Sequence, residues 1–165
     1  MDVTGKICLS LKMKLEYTDV CAIIDTREQK PLRLTLANER GTLPTGDYSL
    51  KGMEEIMVVE RKELSDLIGC MTTGRERFEK ELMRMKAYSH KCVVVEGLWS
   101  DLENGNYRSQ IKPKSATHTV ISWMSRFGVP FAFVGSRESA AAFVDFFLFS
   151  TARRMHDNME RLFND

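Results

Sequence analysis

The amino-acid sequence predicts an α/β fold in which helices flank a mixed central sheet. Two uninterrupted apolar runs, Met57–Val59 and Cys92–Val95, are typical of strands that are buried on both faces. Residues with helical periodicity follow the first run and precede the second. A third run, Val20–Ile24, ends in charged residues, as expected where a buried strand emerges from the core.

Length and charge limit the possible architectures. The chain has 165 residues, of which 43% are hydrophobic and 28% are charged. This length supports one sizeable core, so we expect a single domain over residues 1–165. The formal net charge of +1 excludes a globally basic protein. Any nucleic-acid binding must therefore depend on local clusters of Lys and Arg.

The sequence further predicts a soluble, cytoplasmic protein that does not enter a membrane. It contains neither the apolar segment of a secretory signal near the N-terminus nor a run of transmembrane length. The four cysteines have no zinc-site spacing, which favours core thiols in a reducing compartment over disulfides or zinc. They are Cys8, Cys21, Cys70 and Cys92.

The N-terminal third of the chain is predicted to form strands and a hairpin. Alternation over residues 7–15 indicates a half-buried antiparallel strand. After the strand Val20–Ile24, Asp25 and Arg27 share a face, and a loop follows. Residues 47–61 have the pattern of a hairpin that begins at a turn containing Gly46. We therefore expect the hairpin to place Asp47 near Glu60.

The segment Met57–Asp66 contains the strongest indication of chemistry. Strand alternation places Glu60 and Lys62 on one face of the sheet and Arg61 on the other. A carboxylate beside an ammonium group can hold a divalent cation and polarise a water or a phosphate oxygen. The alternative is the end of a strand with solvated charges.

Two helices are predicted after this strand. The first covers residues 64–71 and has Asp66 in its first turn, and the second covers residues 75–88 with an apolar inner face. An outer stripe of the second helix could follow DNA phosphates. The i, i+4 pairs of an ordinary solvated helix, Glu76 with Lys80 and Arg77 with Glu81, explain the same charges. The stripe consists of Arg77, Lys80 and Arg84, with Arg75 at the start of the helix.

The next segment, Ser100–Pro113, is predicted to be a polar loop. Tyr107 and Arg108 are placed to stack on or neutralise a nucleic acid, although ordinary loop composition is an alternative. Ser115 is the expected N-cap of a helix that ends at Gly128. The predicted core face of this helix comprises Val120, Trp123, Met124 and Phe127.

The C-terminal part is predicted to form a strand and a helix with an unusual surface. The strand covers Phe131–Val134, and Ser136 caps a helix over residues 137–151. This helix is apolar on nearly all sides, and one small domain cannot cover all of them. We therefore expect a subunit interface, most simply that of a homodimer. Its candidate residues are Phe143, Phe146, Phe147 and Phe149, of which we expect some to face the core of the monomer.

Several short motifs together resemble the XPF-type structure-specific endonucleases, and in particular their small bacterial and phage members. The resemblance rests on six motifs. The first three are Ile-Asp25-Thr-Arg27-Glu-Gln, Thr-Gly46-Asp47-Tyr, and Val-Glu60-Arg61-Lys62 with Asp66 four residues on. The others are Gly-Arg75-Glu-Arg77-Phe, Glu96-Gly97 and Tyr107-Arg-Ser. They occur in the family's order between residues 20 and 150.

The resemblance implies a restriction-endonuclease-like core and cleavage of branched or flapped DNA, as in DNA repair, recombination or replication. It also implies Mg²⁺ or Mn²⁺ as cofactor and dimerisation through the C-terminal part of the domain. By this resemblance, Asp47 and Glu60 bind the metal and Lys62 acts on the attacking water. Asp25 is an additional acid near the metal. Supporting polar roles fall to Arg27, Arg61 and Asp66, and we expect Arg61 to pair with Asp66 or another carboxylate.

One departure from the family concerns DNA binding. The cellular members usually continue into tandem helix-hairpin-helix repeats, which residues 1–165 do not contain. A partner protein could supply the additional grip on DNA. Two alternatives to a structure-specific nuclease remain: a catalytically inactive scaffold subunit, and a restriction-like enzyme that recognises a specific sequence.

Overall fold

The structure, a computed structural model, describes residues 14–164. The strand predicted for residues 7–15 therefore falls almost wholly outside the described residues, as does Cys8. Within the described range, six strands form one sheet in the order β2-β1-β3-β4-β5-β6. They are β1 Cys21–Asp25, β2 Ala37–Gly41, β3 Tyr48–Leu50, β4 Met57–Glu63, β5 His90–Glu96 and β6 Phe131–Phe133.

The sheet is mixed, as predicted. Strand β1 is parallel to β2 and antiparallel to β3, and β3 is antiparallel to β4. Strands β4, β5 and β6 are parallel to one another. The hairpin prediction is confirmed, because Tyr48 pairs with Val59 across β3 and β4. The apolar run Cys92–Val95 favours a strand at the centre of the sheet, but the strand that contains it, β5, lies one position from the β6 edge.

Helices cover both faces of the sheet. They are α1 Leu64–Met71, α2 Arg75–Met85, α3 Trp99–Asn104, α4 Pro113–Phe127 and α5 Arg137–Asn164. Val58 on β4 packs in a core with residues of α1 to α4, whereas its neighbour Val59 packs in a second core with residues of α5. Strand alternation thus assigns each side chain of β4 to one of two layers. The three described cysteines are free thiols, and Cys70 and Cys92 are buried as predicted.

Two elements were missed by the sequence prediction. Strand β2 lies within the predicted loop; its residues are mostly exposed, so it carries no hydrophobic pattern, and only its pairing with β1 reveals it. Helix α3 lies within the polar segment that was predicted to be a loop. There the Asp101 carboxylate accepts a hydrogen bond from the Leu98 N–H (2.8 Å), and Gly105 ends the helix in the left-handed conformation.

Other predicted boundaries were also wrong. Helix α2 ends at Met85 rather than residue 88, and α4 begins at Pro113, so Ser115 is not its N-cap. Proline is tolerated at the first helical position because its missing N–H would have no helical partner there. Met124 is 38% exposed and does not belong to the core face of α4.

Helix α5 continues over 28 residues, beyond the predicted end at residue 151. The predicted cap is confirmed, because Ser136 Oγ accepts a hydrogen bond from the Ser139 N–H (3.1 Å). One side of the helix is buried against the sheet, including Ala140, Val144 and Leu148. None of the described helices combines the length and the apolar character needed to cross a bilayer.

Gly46 supports the turn that starts the hairpin, and its replacement should destabilise the protein. It has φ = +74°, and an added Cβ would collide with Val58 Cγ2 and lie 3.1 Å from the Val59 carbonyl oxygen. We expect Gly46→Ala to lower the free energy of unfolding by about 2–4 kcal/mol, from strain and overpacking together. Urea denaturation would measure this change.

Gly52 provides the matched control for this prediction. Its φ is similar (+82°), but an added Cβ would meet nothing within 4 Å. Gly52→Ala should therefore cost only the conformational penalty, about 1–2 kcal/mol. Equal losses in the two variants would show that close packing at Gly46 does not matter.

Candidate active site

The end of β4 presents Glu60 and Lys62 to the same layer as α1 and α2. The Lys62 ammonium donates a hydrogen bond to Glu60, and its Nζ lies 5.1 Å from the centre of the Phe78 ring and 3.9 Å from Glu81 Oε2. Glu60 is only 3% exposed. The alternative of a strand end with solvated charges is therefore excluded.

The hairpin holds Asp47 beside this pair. The Asp47 N–H donates to the Val59 carbonyl oxygen (2.9 Å), and Asp47 Oδ2 accepts from the Arg61 N–H (2.8 Å). Burial raises the pKa of Asp47 to about 6, an effect that the Arg61 N–H and Lys62 only partly oppose. Burial and the charge of Asp47 raise the pKa of Glu60 well above its usual range. Two adjacent carboxylates thus lie where their negative charges are unfavourable.

Asp25 has a different environment from these two acids. Its Oδ1 accepts from the Arg27 N–H (2.9 Å) and the Arg27 Nε (2.6 Å). Its Oδ2 accepts from Arg27 Nη2 (3.1 Å) and from the Leu43 N–H (2.7 Å). Burial alone would raise the pKa of Asp25, but these donors hold it below its usual range. Four donors occupy the lone-pair positions of this carboxylate, which leaves none for a metal ion in this arrangement.

Arg61 points to the opposite layer, as strand alternation predicts. Its side chain is 7% exposed and contacts three carboxylates: Glu96 (2.6 Å), Glu63 (3.0 Å) and Glu28 (3.6 Å). The prediction from the sequence is that Arg61 pairs with Asp66 or with another carboxylate. Asp66 is not among its partners, so the second of these expectations is the correct one. Burial alone would lower the pKa of Arg61, but its partners raise it overall.

A cleft of about 420 Å³ opens over Asp47 and Lys62. Besides these two residues, its lining comprises Asp25, Arg27, Gly46, Cys70, Arg77, Phe78, Glu81 and Arg84. A second groove of about 430 Å³ is lined in part by Asp66 and shares Lys62, Cys70 and Arg77 with the cleft. Of the predicted catalytic residues, four line the cleft and Asp66 lines the adjoining groove, whereas Glu60 and Arg61 line neither. Glu60 reaches the site through its contact with Lys62.

The predicted DNA-binding residues are distributed differently. Arg77 and Arg84 line the cleft. Lys80 instead forms the solvated pair with Glu76 (2.7 Å), and Arg75 packs between helices, donating to Thr119 Oγ1 (3.2 Å). Tyr107 donates its hydroxyl to the Ile111 carbonyl oxygen (3.1 Å). Tyr107 and Arg108 both lie outside the lining of the cleft.

Sequence reasoning missed Glu81, which it treated as an i, i+4 partner of Arg77. In the structure Glu81 lies in the cleft near Lys62. The spacing of residues 77, 81 and 84 on one helical face was the available signal. Glu28 was also missed as a partner of Arg61; its position after β1 gave no indication of that contact.

The donors present fit a small divalent cation. Asp47 Oδ1 and Glu60 Oε2 accept no hydrogen bond from the described residues, and hard carboxylate oxygens suit Mg²⁺ and Mn²⁺. A cation would also relieve the repulsion between these two acids. Among the described residues, Asp25, Asp47 and Glu60 do not bring three ligand atoms within 4.8 Å of one another. Asp47 and Glu60 would therefore offer an ion two carboxylates, an arrangement that suits Mg²⁺ because it usually retains several waters.

A sequence-family comparison identifies the domain. The family model described as the ERCC4 domain matches residues 24–147, more than half of the chain. The chain belongs to the ERCC4 domain family. No curated protein sequence matches it at a significant level. The family match, together with the solved structures described next, confirms the sequence-based identification of an XPF-type nuclease domain.

Solved structures show the same fold. XPF from Aeropyrum pernix has a TM-score of 0.64 at 19% identity over 79% of this chain and 61% of its own chain. The XPF from Aeropyrum pernix in complex with DNA has a TM-score of 0.65 at 19% identity over 82% of this chain and 66% of its own. This ERCC4 domain therefore has the predicted restriction-endonuclease-like fold and spans slightly less than two thirds of these chains.

The different environments of Asp47 and Asp25 predict opposite effects on stability. The raised folded-state pKa of Asp47 means that ionisation costs stability as the pH rises from about 4 to 6. Asp47→Asn should remove this cost, increasing the free energy of unfolding above pH 6 by up to about 3 kcal/mol and little at pH 4. Urea denaturation in EDTA would test this expectation.

Asp25→Asn is the matched comparison. Because the folded-state pKa of Asp25 is lowered, its ionised form stabilises the fold above the unfolded pKa. This variant should therefore be less stable than the wild type at neutral pH and closer to it in acid. The same sign of change in both variants at pH 7 would contradict the assigned electrostatics.

Proposed function

We propose that this ERCC4 domain is a divalent-metal-dependent endonuclease that hydrolyses phosphodiester bonds in DNA, with branched or flapped DNA as its substrate. One observation carries the proposal: two acids with raised pKa values and free oxygens lie beside a partly buried lysine, and this lysine and Asp47 line a cleft that also contains three arginines. Residues with strongly shifted pKa values in a cleft are typical of catalytic sites.

Asp47 and Glu60 would hold Mg²⁺ or Mn²⁺ through their free oxygens. When bound, the ion would neutralise charge on the phosphate and lower the pKa of a coordinated water. Burial alone would lower the pKa of Lys62, but Glu60 and Glu81 raise it overall, so the ammonium keeps its proton at neutral pH. Lys62 would therefore act as a cationic donor to the water or a phosphate oxygen, and not as a base.

The arginines would bind the DNA backbone. Arg27, Arg77 and Arg84 line the cleft, where their charges would neutralise phosphates next to the scissile one. Asp25 would contribute by holding Arg27 in place. Asp66, in the adjoining groove, would act on the neighbouring part of the strand, while Arg75 would have a mainly structural role.

DNA as the substrate is supported by one of the similar solved structures. The XPF from Aeropyrum pernix has been solved in complex with DNA. This chain spans about two thirds of that XPF chain, so the binding of branched DNA by this chain is part of the proposal. A partner protein that strengthens the binding of DNA is also part of the proposal. The inactive scaffold is the main alternative, but the presence of Asp47, Glu60 and Lys62 in one site favours catalysis.

Removing a metal-binding charge should abolish cleavage without loss of the fold. Glu60→Gln keeps the side-chain volume, and we expect it to reduce the cleavage rate roughly 10²-fold or more. The assay would use flap, splayed-arm, Holliday-junction and duplex DNA with Mg²⁺, Mn²⁺ or EDTA. Cleavage by the wild type should require metal and be confined to branched substrates.

Glu39→Gln is the control, since Glu39 lies on an exposed strand and, among residues 14–164, forms an ion pair only with Lys51 (2.9 Å). It should cleave like the wild type. Wild-type protein that binds branched DNA without cutting it in any metal would support the scaffold alternative. Full activity of Glu60→Gln would remove Glu60 from the site.

We also propose that the protein is a homodimer that associates through the aromatic side of α5. Phe146 is 65% exposed, and the rings of Phe143 and Phe147 stack beside it at 6.0 Å. These three residues line a shallow groove of about 270 Å³. An exposed aromatic surface of this kind is typical of an association site. Phe149, the fourth residue of the predicted set, faces the core of the monomer instead: it is 7% exposed, and its ring centre lies 4.2 Å from that of Tyr17 in the same chain.

The two environments predict distinct outcomes for glutamate substitutions. Phe146→Glu should give a folded monomer, because a charge in a desolvated interface is unfavourable. Phe149→Glu should unfold the protein, because the charge would be buried within the monomer. Light scattering and circular dichroism would distinguish these results. A wild type that is monomeric at micromolar concentration would exclude the homodimer.

A further inference from the structure

The ammonium of Lys62 lies between two carboxylates that come from different elements. Glu60 belongs to the same strand, β4, whereas Glu81 comes from α2, with its Oε2 3.9 Å from Lys62 Nζ. Phe78, one turn before Glu81, places its ring centre 5.1 Å from the same nitrogen. Helix α2 thus contacts Lys62 through both a charge and an aromatic face.

Glu81 has no competing ion pair among the described residues. Arg77 occupies the i−4 position, but its guanidinium does not come within 4.0 Å of Glu81. The Glu81 side chain is 22% exposed and lies in the cleft, close enough to Asp47 and Glu60 to oppose their ionisation. A third acid at this position is unfavourable for the other two. Among the described residues, Lys62 is the one cation whose charged group lies within 4.0 Å of the Glu81 carboxylate.

The need for a second carboxylate follows from the proposed function, on which this inference rests. If Glu60 binds a metal ion, much of its negative charge is neutralised, and its attraction for Lys62 weakens. A lysine has a flexible stem and does not hold its position without a partner. We propose that Glu81 is a positioning residue that keeps the Lys62 ammonium over Phe78 while Glu60 binds the metal.

The first test is kinetic and uses Glu81→Gln, which keeps the shape of the side chain but removes its charge. We expect the single-turnover cleavage rate at saturating DNA to fall about tenfold or more, because the lysine loses its position. The DNA concentration at half-maximal rate and the Mn²⁺ affinity from calorimetry should change less than about twofold. In a Lys62→Met background, Glu81→Gln should produce no further loss.

Glu76→Gln serves as the matched control, because Glu76 lies on the same helix and pairs with exposed Lys80. It should leave the cleavage rate unchanged. An unchanged rate in Glu81→Gln would overturn the proposal. A tenfold loss of Mn²⁺ affinity in that variant would also overturn it, since Glu81 would then be a metal ligand.

A second test does not require catalysis. The midpoints of urea denaturation in EDTA are compared for Glu81→Gln, Lys62→Met and the double variant. Coupling between the two residues predicts that the double variant's shift differs from the sum of the single shifts, whereas additive shifts would overturn the pairing. If the wild type does not cleave DNA, the proposed function fails. The comparison of the two single variants with the double variant still decides whether Glu81 holds Lys62.

Discussion

The buried guanidinium of Arg61 connects the strand ends on which the candidate active site depends. Its side chain contacts Glu96 at the end of β5, Glu63 on its own strand and Glu28 after β1, while its N–H binds Asp47. A buried cation is unfavourable without partners, and here three carboxylates surround it. With Arg61 held in one layer, strand alternation directs Glu60 and Lys62 into the other.

The same chain uses one residue type in two electrostatic settings. Asp25 is surrounded by four donors and stabilises the loop that carries Arg27. Asp47 has one backbone donor and an acidic neighbour, so its charge opposes folding. Such local unfavourable electrostatics is expected where a site binds a cation, because the ligand supplies the missing positive charge.

Helix α5 is anchored beside the same strand ends. Arg137, its first residue, donates to the carbonyl oxygens of Lys30 (2.5 Å) and Pro31 (2.9 Å) and lies 3.7 Å from Glu96. Glu96 also pairs with Arg61. The helix that carries the exposed aromatic surface and the strand that carries Lys62 therefore both contact one carboxylate, which joins the proposed association surface to the candidate active site.

The sequence by itself determined what depends on local spacing. Alternation in β4 separated Arg61 from Glu60 and Lys62, the hairpin pattern placed Asp47 near Glu60, and motif order identified the family. Only the tertiary structure decided which side chains share the cleft. Helical periodicity placed Lys80 and Arg84 on the same outer face of α2, but of these two residues Arg84 lines the cleft and Lys80 does not. Several of the deciding contacts join segments distant in sequence: Arg61 with Glu28 and Glu96, the Leu43 N–H with Asp25, and Glu81 with Lys62. The exposed strand β2 likewise depends on its pairing with β1. Such contacts depend on how helices pack against the sheet, and no local pattern encodes that packing.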